Sequence, residues 1–215
     1  MPVSLNQILE MPNAALLAEQ INSALEKENA ERNHFYNIVD TNKNAEFING
    51  KIIFDLPDTL AENKAVGKLS ALLDTFVSKN NLGFVGQRSL LVSLTRNDYK
   101  PDICFFGKNK ANKFTKDFEF FPEPDFVTEV VSNSTTEKDH TTKFDDYAAH
   151  GIKEYWIIDA EHETIEQYYL QEEEYELLLK TKDGTINSVV LPDFSIQVRA
   201  VFDEQTNLEE LRKLI

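Results

Sequence analysis

The sequence predicts a mixed α/β domain, a central mixed β-sheet flanked by helices, with a helical extension at its N-terminal end. Apolar residues spaced at threes and fours mark helices over residues 4–32, over Thr59–Val77 and between Glu137 and Ala149. Short β-prone runs bounded by Gly, Pro, Asn and Asp fill the intervals between them. A helix, a block of strands, a second helix and more strands is the order of such a fold.

The elements follow in turn. Leu5, Ile8 and Leu9, then Leu16, Leu17, Ile21 and Leu25, form the stripe of the first helical segment, and Pro12-Asn13 breaks it in two. Asn49-Gly50 between Ala45–Ile48 and Lys51–Phe54 is a strong hairpin signal. Thr59–Val77 presents Leu60, Val66, Leu69, Leu72, Leu73 and Phe76 on one side. Gly83–Val85, Ser89–Leu94, Ile103–Phe106 and Phe126–Val131 read as strands, and Gly151 stands where a C′ glycine would stop the helix before it. Tyr155–Ile158, Thr164–Tyr169, Tyr175–Lys180 and Ile186–Val190 are further strands, with Asp183-Gly184 as a hairpin turn. Thr206 or Asn207 would cap a last short helix.

Composition narrows the class. The chain has 215 residues, 41% of them hydrophobic, with 15 Phe and 7 Tyr for a core, which argues against a mainly disordered polypeptide. One cysteine, Cys104, excludes a disulfide within the chain, reads as a buried small hydrophobe, and with four His makes a zinc finger implausible. No run of 18 apolar residues predicts a membrane span, and the first residues lack a basic stretch followed by an apolar block. The expectation is a cytoplasmic protein without a membrane partner.

Charge is uneven. The formal net charge is −15, which counts against nucleic-acid binding, where phosphate contacts dominate. Residues 1–63 carry −6 and residues 117–215 carry −16, but residues 64–116 carry +7. Lys108, Lys110 and Lys113 belong to that basic run, which is either a solvated surface or an anion-facing patch on an acidic body.

Two acids conflict with their surroundings. Phe126–Val131 reads FVTEVV, apolar except for Glu129, which shares a face with Val127 and Val131. Asp102 opens the run Asp-Ile-Cys-Phe-Phe directly after Pro101. An acid among strands carries a desolvation cost that a bound cation relieves. Singly, each also reads as an edge-strand carboxylate facing water.

These residues carry a resemblance. Lys100-Pro101-Asp102, Glu129-Val130-Val131-Ser132-Asn133-Ser134-Thr135, a following helix with Lys and Tyr, and Gly151-Ile152-Lys153-Glu154-Tyr155-Trp156-Ile157-Ile158-Asp159 stand in order. Together they resemble the Uma-two family of restriction endonucleases, within the PD-(D/E)XK nuclease-like superfamily. The upstream hairpin Glu46–Ile52 is similar to the family's opening, so the likeness spans roughly residues 45–170. It implies a restriction-endonuclease-like core over residues 35–215, with residues 1–34 as the extension. It also implies DNA as partner, Mg2+ or Mn2+ as cofactor, and a homodimer.

The resemblance assigns Asp102 and Glu129 to the metal, with the backbone carbonyl of Val130 as a further ligand and Lys143 as the catalytic lysine. The superfamily's usual lysine, two residues after the Glu, is here Val131. Lys143 lies beside the stripe of Phe144, Tyr147 and Ala148, four residues before Tyr147, and alone would read as a surface lysine paired with Asp139 or Tyr147. The family's His near the start of the first core helix is replaced by Glu62-Asn63-Lys64, so Glu62 stands as a supporting carboxylate, with Tyr147 as a second supporting residue. Asn133 stands where the family usually has Pro. His140 reads as a solvent-exposed or packing residue, although three residues before Lys143 it could face the cleft; Tyr155 and Trp156 read as packing residues, Asp159 as a strand end, and Glu172–Glu174 as a solvated loop. The expected function is a metal-dependent DNA endonuclease; the alternative is a nuclease-like fold that binds DNA or protein without cutting.

Overall fold

In the computed structural model of the protein, residues 4–39, 44–54, 56–131 and 140–215 are described. They separate into two compact units, residues 1–55 and 56–215, so the hairpin around Asn49 groups with the N-terminal helices.

The first unit opens with α1 (Leu5–Leu9), whose N-terminus is closed by a reciprocal capping box between Ser4 and Gln7. Pro12 and Asn13 separate it from α2 (Ala14–Val39), as the sequence predicts, although α2 runs further than residue 32. Strands β1 (Ala45–Ile48) and β2 (Lys51–Phe54) pair with Ile48 opposite Lys51. The two-residue turn needs positive φ at both positions, and Asn49 (50°) and Gly50 (75°) supply it. A Cβ at Gly50 would lie 2.8 Å from Cγ of Glu28 on α2, a flexible side chain, so the positive φ rather than space is what favours glycine there. Phe35 and Phe47 meet at 5.8 Å between ring centroids.

The second unit is built on a six-stranded sheet. In chain order it contains α3 (Leu60–Asn80), β3 (Gly83–Gln87), β4 (Leu91–Ser93), β5 (Asp98–Tyr99) and β6 (Ile103–Gly107). Then come α4 (Lys108–Ala111), β7 (Phe120–Phe121), β8 (Phe126–Val131), α5 (Thr142–Ala149), β9 (Glu154–Asp159), β10 (Thr164–Gln171) and β11 (Glu174–Thr181). The short pair β12 (Thr185–Asn187) and β13 (Ser195–Gln197), a 3-10 turn at Val198–Val201 and α6 (Glu204–Leu214) complete it. The large sheet has the order β11-β10-β9-β8-β6-β3, and within it only β8 and β9 run parallel. A parallel pair needs a crossover, and α5 lies in that connection. β4 pairs antiparallel with β5 and parallel with β7.

Both faces of β8 are buried, which is why FVTEVV reads apolar almost throughout. One face, with Phe126 and Val130, joins Leu69, Leu72 and Leu73 of α3 in the main core, and Trp156 of β9 packs there too. The opposite face lies under α5, whose Tyr147 is fully buried and packs edge-on against Tyr155 of β9 at 5.4 Å. Helix α5 ends in a Schellman motif: the N–H groups of Gly151 and Ile152 donate to the carbonyls of Ala148 and Tyr147, and Gly151 takes φ 72°.

Several local expectations are corrected. The segment Ser89–Leu94 shortens to β4, and three small strands, β5, β7 and β13, are not among the expected ones. Asp183-Gly184 forms a turn but not a hairpin, because β11 pairs with β10 and β12 with β13. The tight connection between β10 and β11 instead falls at Glu172-Glu173, with Glu172 at φ 55°. The strand expected over Ile186–Val190 becomes β12 and stops at Asn187, because residues 188–190 turn to meet Glu154. The cap of α6 is Asp203, which accepts from the N–H of Thr206 at 2.7 Å, so neither Thr206 nor Asn207 starts the helix. Residues 132–139, including the Ser-Asn-Ser-Thr segment, Asp139 and the expected start of the helix at Glu137, lie outside the described residues.

Candidate active site

Strand β8 outruns its neighbour. The ladder between β6 and β8 reaches Ile103 opposite Thr128, leaving Val130 beyond the end of β6. Its N–H donates instead to Oδ2 of Asp102 at 2.7 Å. Asp102, one residue before β6, thus continues the ladder with a carboxylate and sits beside the residue that follows Glu129. In an extended strand a residue's N–H and C=O project to the same edge, so the Val130 carbonyl lies on the Asp102 side.

Glu129 points away from the main core, under α5. Its Oε1 accepts from the Tyr147 hydroxyl at 2.8 Å and pairs with Lys143 Nζ at 2.9 Å. Lys143 and Glu129 keep only 4% and 5% of their side chains exposed. The sequence puts Lys143 beside the buried stripe; the structure puts it within, since the Glu129 carboxylate provides the partner that a buried ammonium requires. Lys143 also lies over the Tyr99 ring, 5.8 Å from its centroid.

The helix that carries Lys143 is anchored by polar contacts. Asp146 Oδ2 accepts from Tyr99 Oη and from Asn97 Nδ2, both at 2.7 Å. His150 receives the Thr95 N–H at Nε2 and faces the Asp146 carbonyl with Nδ1 at 2.8 Å, which assigns the proton to Nδ1. Tyr99 packs edge-on against Tyr147 at 5.2 Å.

A second cation lies at the other carboxylate. Arg88 Nε is 2.6 Å from Asp102 Oδ1, and Arg88 Nη1 forms an ion pair with Asp58. Asp58 directly precedes Thr59, the N-cap of α3. Burial pushes the Asp102 carboxyl above its ordinary range, although Arg88, the Val130 N–H and Lys143 all act to lower it. Beneath the pair, the Cys104 thiol is also pushed up, by burial and by the charge on Glu129.

The structure therefore brings Asp102, Glu129, Val130, Lys143 and Tyr147 together. Glu62 is placed otherwise: its carboxylate accepts the Thr59 N–H at 2.6 Å and closes the capping box of α3. The acid that the start of α3 contributes to the cluster is Asp58, which the sequence reading missed along with Arg88. His140, expected as solvent-exposed or packing, lies with Nε2 3.3 Å from Glu166 Oε2. The basic run is not one patch. Lys68 and Lys79 bond main-chain carbonyls, Arg88 is in the site, and Lys110 is held by Asp125 and Glu123. Lys108 and Lys110 follow the far end of β6, about 16 Å from Asp102 at ~3.3 Å per residue.

The donors suit a hard divalent cation, which takes oxygen ligands and keeps several waters. The Val130 bond holds the half-buried Asp102 carboxylate beside the strand residue that follows the buried Glu129, and the Val130 carbonyl projects to the same edge. Among the described residues, no group of three or more His, Cys, Asp and Glu is arranged to hold a metal, so the fit is to two carboxylates and a main-chain oxygen. Nor is any helix among them long and apolar enough to cross a membrane.

A model of the Uma2 family, described as "Putative restriction endonuclease", matches residues 31–199. No curated protein matches the chain. Among solved structures, the crystal structure of "a putative nuclease belonging to DUF820" from Anabaena variabilis superposes with a TM-score of 0.64 at 18% identity. The match covers 78% of this chain and 90% of that one, and at such identity it establishes the shared fold.

Proposed function

The chain belongs to the Uma2 restriction-endonuclease family, and from that premise we propose that it is a metal-dependent endonuclease that hydrolyses phosphodiester bonds in DNA. The observation that carries this reading is the hydrogen bond from the Val130 N–H to Asp102, which fixes one carboxylate beside the strand residue that bears the other. Asp102, Glu129 and the Val130 carbonyl would hold Mg2+ or Mn2+, which would supply Lewis-acid polarisation of the phosphate and a water of lowered pKa.

The chain's own groups do the rest. Tyr147 and Lys143 converge on one oxygen of Glu129, fixing the rotation of its carboxylate. Lys143 carries a positive charge that is already desolvated and pre-oriented, so it stabilises negative charge developing on the phosphate without reorganising. The Asp146, Tyr99 and Asn97 contacts hold α5, and hence Lys143, at a fixed distance from β8. The Glu129 carboxylate and the Lys143 ammonium are almost closed to bulk water, which strengthens their interaction.

We also infer a homodimer through the N-terminal helices. Leu5, Leu9, Leu16 and Ile21 are each at least half exposed, an apolar run that water does not favour. Antiparallel pairing of two α2 helices about Ile21 aligns Leu17 of one copy with Leu25 of the other. Residues 1–30 lie outside the family match, so the extension is an addition to the nuclease core. A substrate of DNA is consistent with a cytoplasmic location.

The test is incubation of the purified protein with supercoiled and single-stranded DNA in Mn2+. Cutting that stops with EDTA supports the reading. Failure to cut any DNA leaves a nuclease-like fold that binds DNA or protein without catalysis.

A further inference from the structure

Arg88 holds a position that the reaction above does not use. It lies in the turn after β3, with its N–H donating to the Asp102 carbonyl at 3.2 Å. Its side chain bridges two acids: Nε meets Asp102 Oδ1 at 2.6 Å, and Nη1 pairs with Asp58. A guanidinium therefore lies on an oxygen that the proposed cation would take. Resting on the metal-nuclease reading, we propose that Arg88 is a displaceable counter-ion that clamps a phosphate oxygen of the DNA once a divalent cation occupies Asp102.

Three features carry this. First, Arg88 Nε lies 2.6 Å from Asp102 Oδ1, and the Asp102 side chain keeps only 16% of its surface exposed, so Arg88 is the counter-charge of this carboxylate. Second, two positive groups on Asp102 Oδ1 repel each other, so an arriving cation weakens the arginine's hold there. Asp58 offers a second anchor, independent of Asp102, on which the side chain can turn. Third, Arg88 keeps a quarter of its side chain exposed, unlike the closed Lys143. Its planar fork matches two oxygens of a phosphate, which a lysine cannot do. The two cations of the site then divide the work: Lys143 stays on Glu129, and Arg88 moves from carboxylate to phosphate.

The experiment compares the parent with Arg88→Gln and Arg88→Lys. Mn2+ is titrated calorimetrically into each protein without DNA, and the cleavage rate is then measured at saturating Mn2+. Arg88→Gln is expected to bind Mn2+ roughly tenfold more tightly, the low end of what one adjacent charge does to a carboxylate. It should cut on the order of 10²-fold more slowly, the size expected for losing a group aimed at developing charge. Arg88→Lys keeps the charge but not the fork, so Mn2+ affinity should stay parental while the rate still falls. If Arg88→Gln does not fold, Arg88→Met, which also removes the charge, replaces it in both measurements. Unchanged or weaker Mn2+ binding by Arg88→Gln would make Arg88 a structural prop of Asp102 and overturn the counter-ion role. Parental cutting by either variant would overturn the phosphate role. A parent that binds Mn2+ but cuts no DNA also overturns the phosphate role while leaving the carboxylate pair standing. A parent that takes up no Mn2+ sinks the metal reading itself and this inference with it.

Discussion

Lys143 Nζ lies 2.9 Å from Glu129 Oε1 with both side chains almost closed to water. A pair so buried contributes little net stability while intact, but removing one partner strands the other charge and costs about 3–5 kcal/mol. The site thus depends on both residues for its fold as well as for its proposed chemistry.

Lys143→Met is expected to lower unfolding free energy by about 3 kcal/mol because it leaves Glu129 unpaired. The double variant Lys143→Met with Glu129→Leu should recover most of that loss and cut no DNA. Urea unfolding with both proteins checks this. A double variant no more stable than the single one would show that the pair is not the source of the loss.

The pH response of Asp102 has a definite sign. Burial raises its pKa in the folded state, so the native protein holds this proton more tightly than the unfolded chain. The penalty for the buried charge is therefore full near pH 7 and fades as pH falls through the raised pKa towards the ordinary carboxylate range. Asp102→Asn carries no such penalty. Without metal, its melting temperature relative to the parent should be most favourable at pH 7 and less so at about pH 4. A difference that stays flat or grows on acidification would contradict the burial argument.

Glu154 should prove structural. Its Oε1 accepts from Trp156 and Gln167, and its Oε2 accepts from Ser188 and from the N–H groups of Val189 and Val190. Glu154→Ala leaves these five donors buried or half-buried without their acceptor. A loss of about 3 kcal/mol or more follows from the cost of unsatisfied groups. Native hydrogen exchange should show the 188–190 loop opening first, and a loss below about 1 kcal/mol would mean that water replaces the carboxylate.

Much of this site was legible because its acids break local rules. Glu129 stands in a run that otherwise reads as a buried strand, and Asp102 opens another, so each signals a specific partner. Arg88 and Asp58 send no such signal: an arginine and an aspartate beside turns are ordinary, and only the tertiary fold brings them to Asp102. Asp183-Gly184 shows the same limit. The dipeptide specifies a turn, but which strands pair across it is decided by β10, whose register with β11 runs from Ile165–Thr181 to Gln171–Glu174. Glu62 illustrates the converse, an acid that looked functional by position and is used to cap α3.

The N-terminal extension gives a fourth expectation. Ile21→Asp and Leu17→Asp should convert a dimer into a monomer in light scattering without altering the melting of residues 56–215. A dimer that survives both substitutions would place the interface elsewhere.

A crystal grown with Mn2+ and read by anomalous scattering tests the central claim most directly. The expected result is a peak within coordination distance of the Asp102 and Glu129 carboxylates and the Val130 carbonyl, with Arg88 withdrawn from Asp102 Oδ1. No peak there, with Arg88 still seated on Asp102, would contradict the metal site and the catalysis built on it.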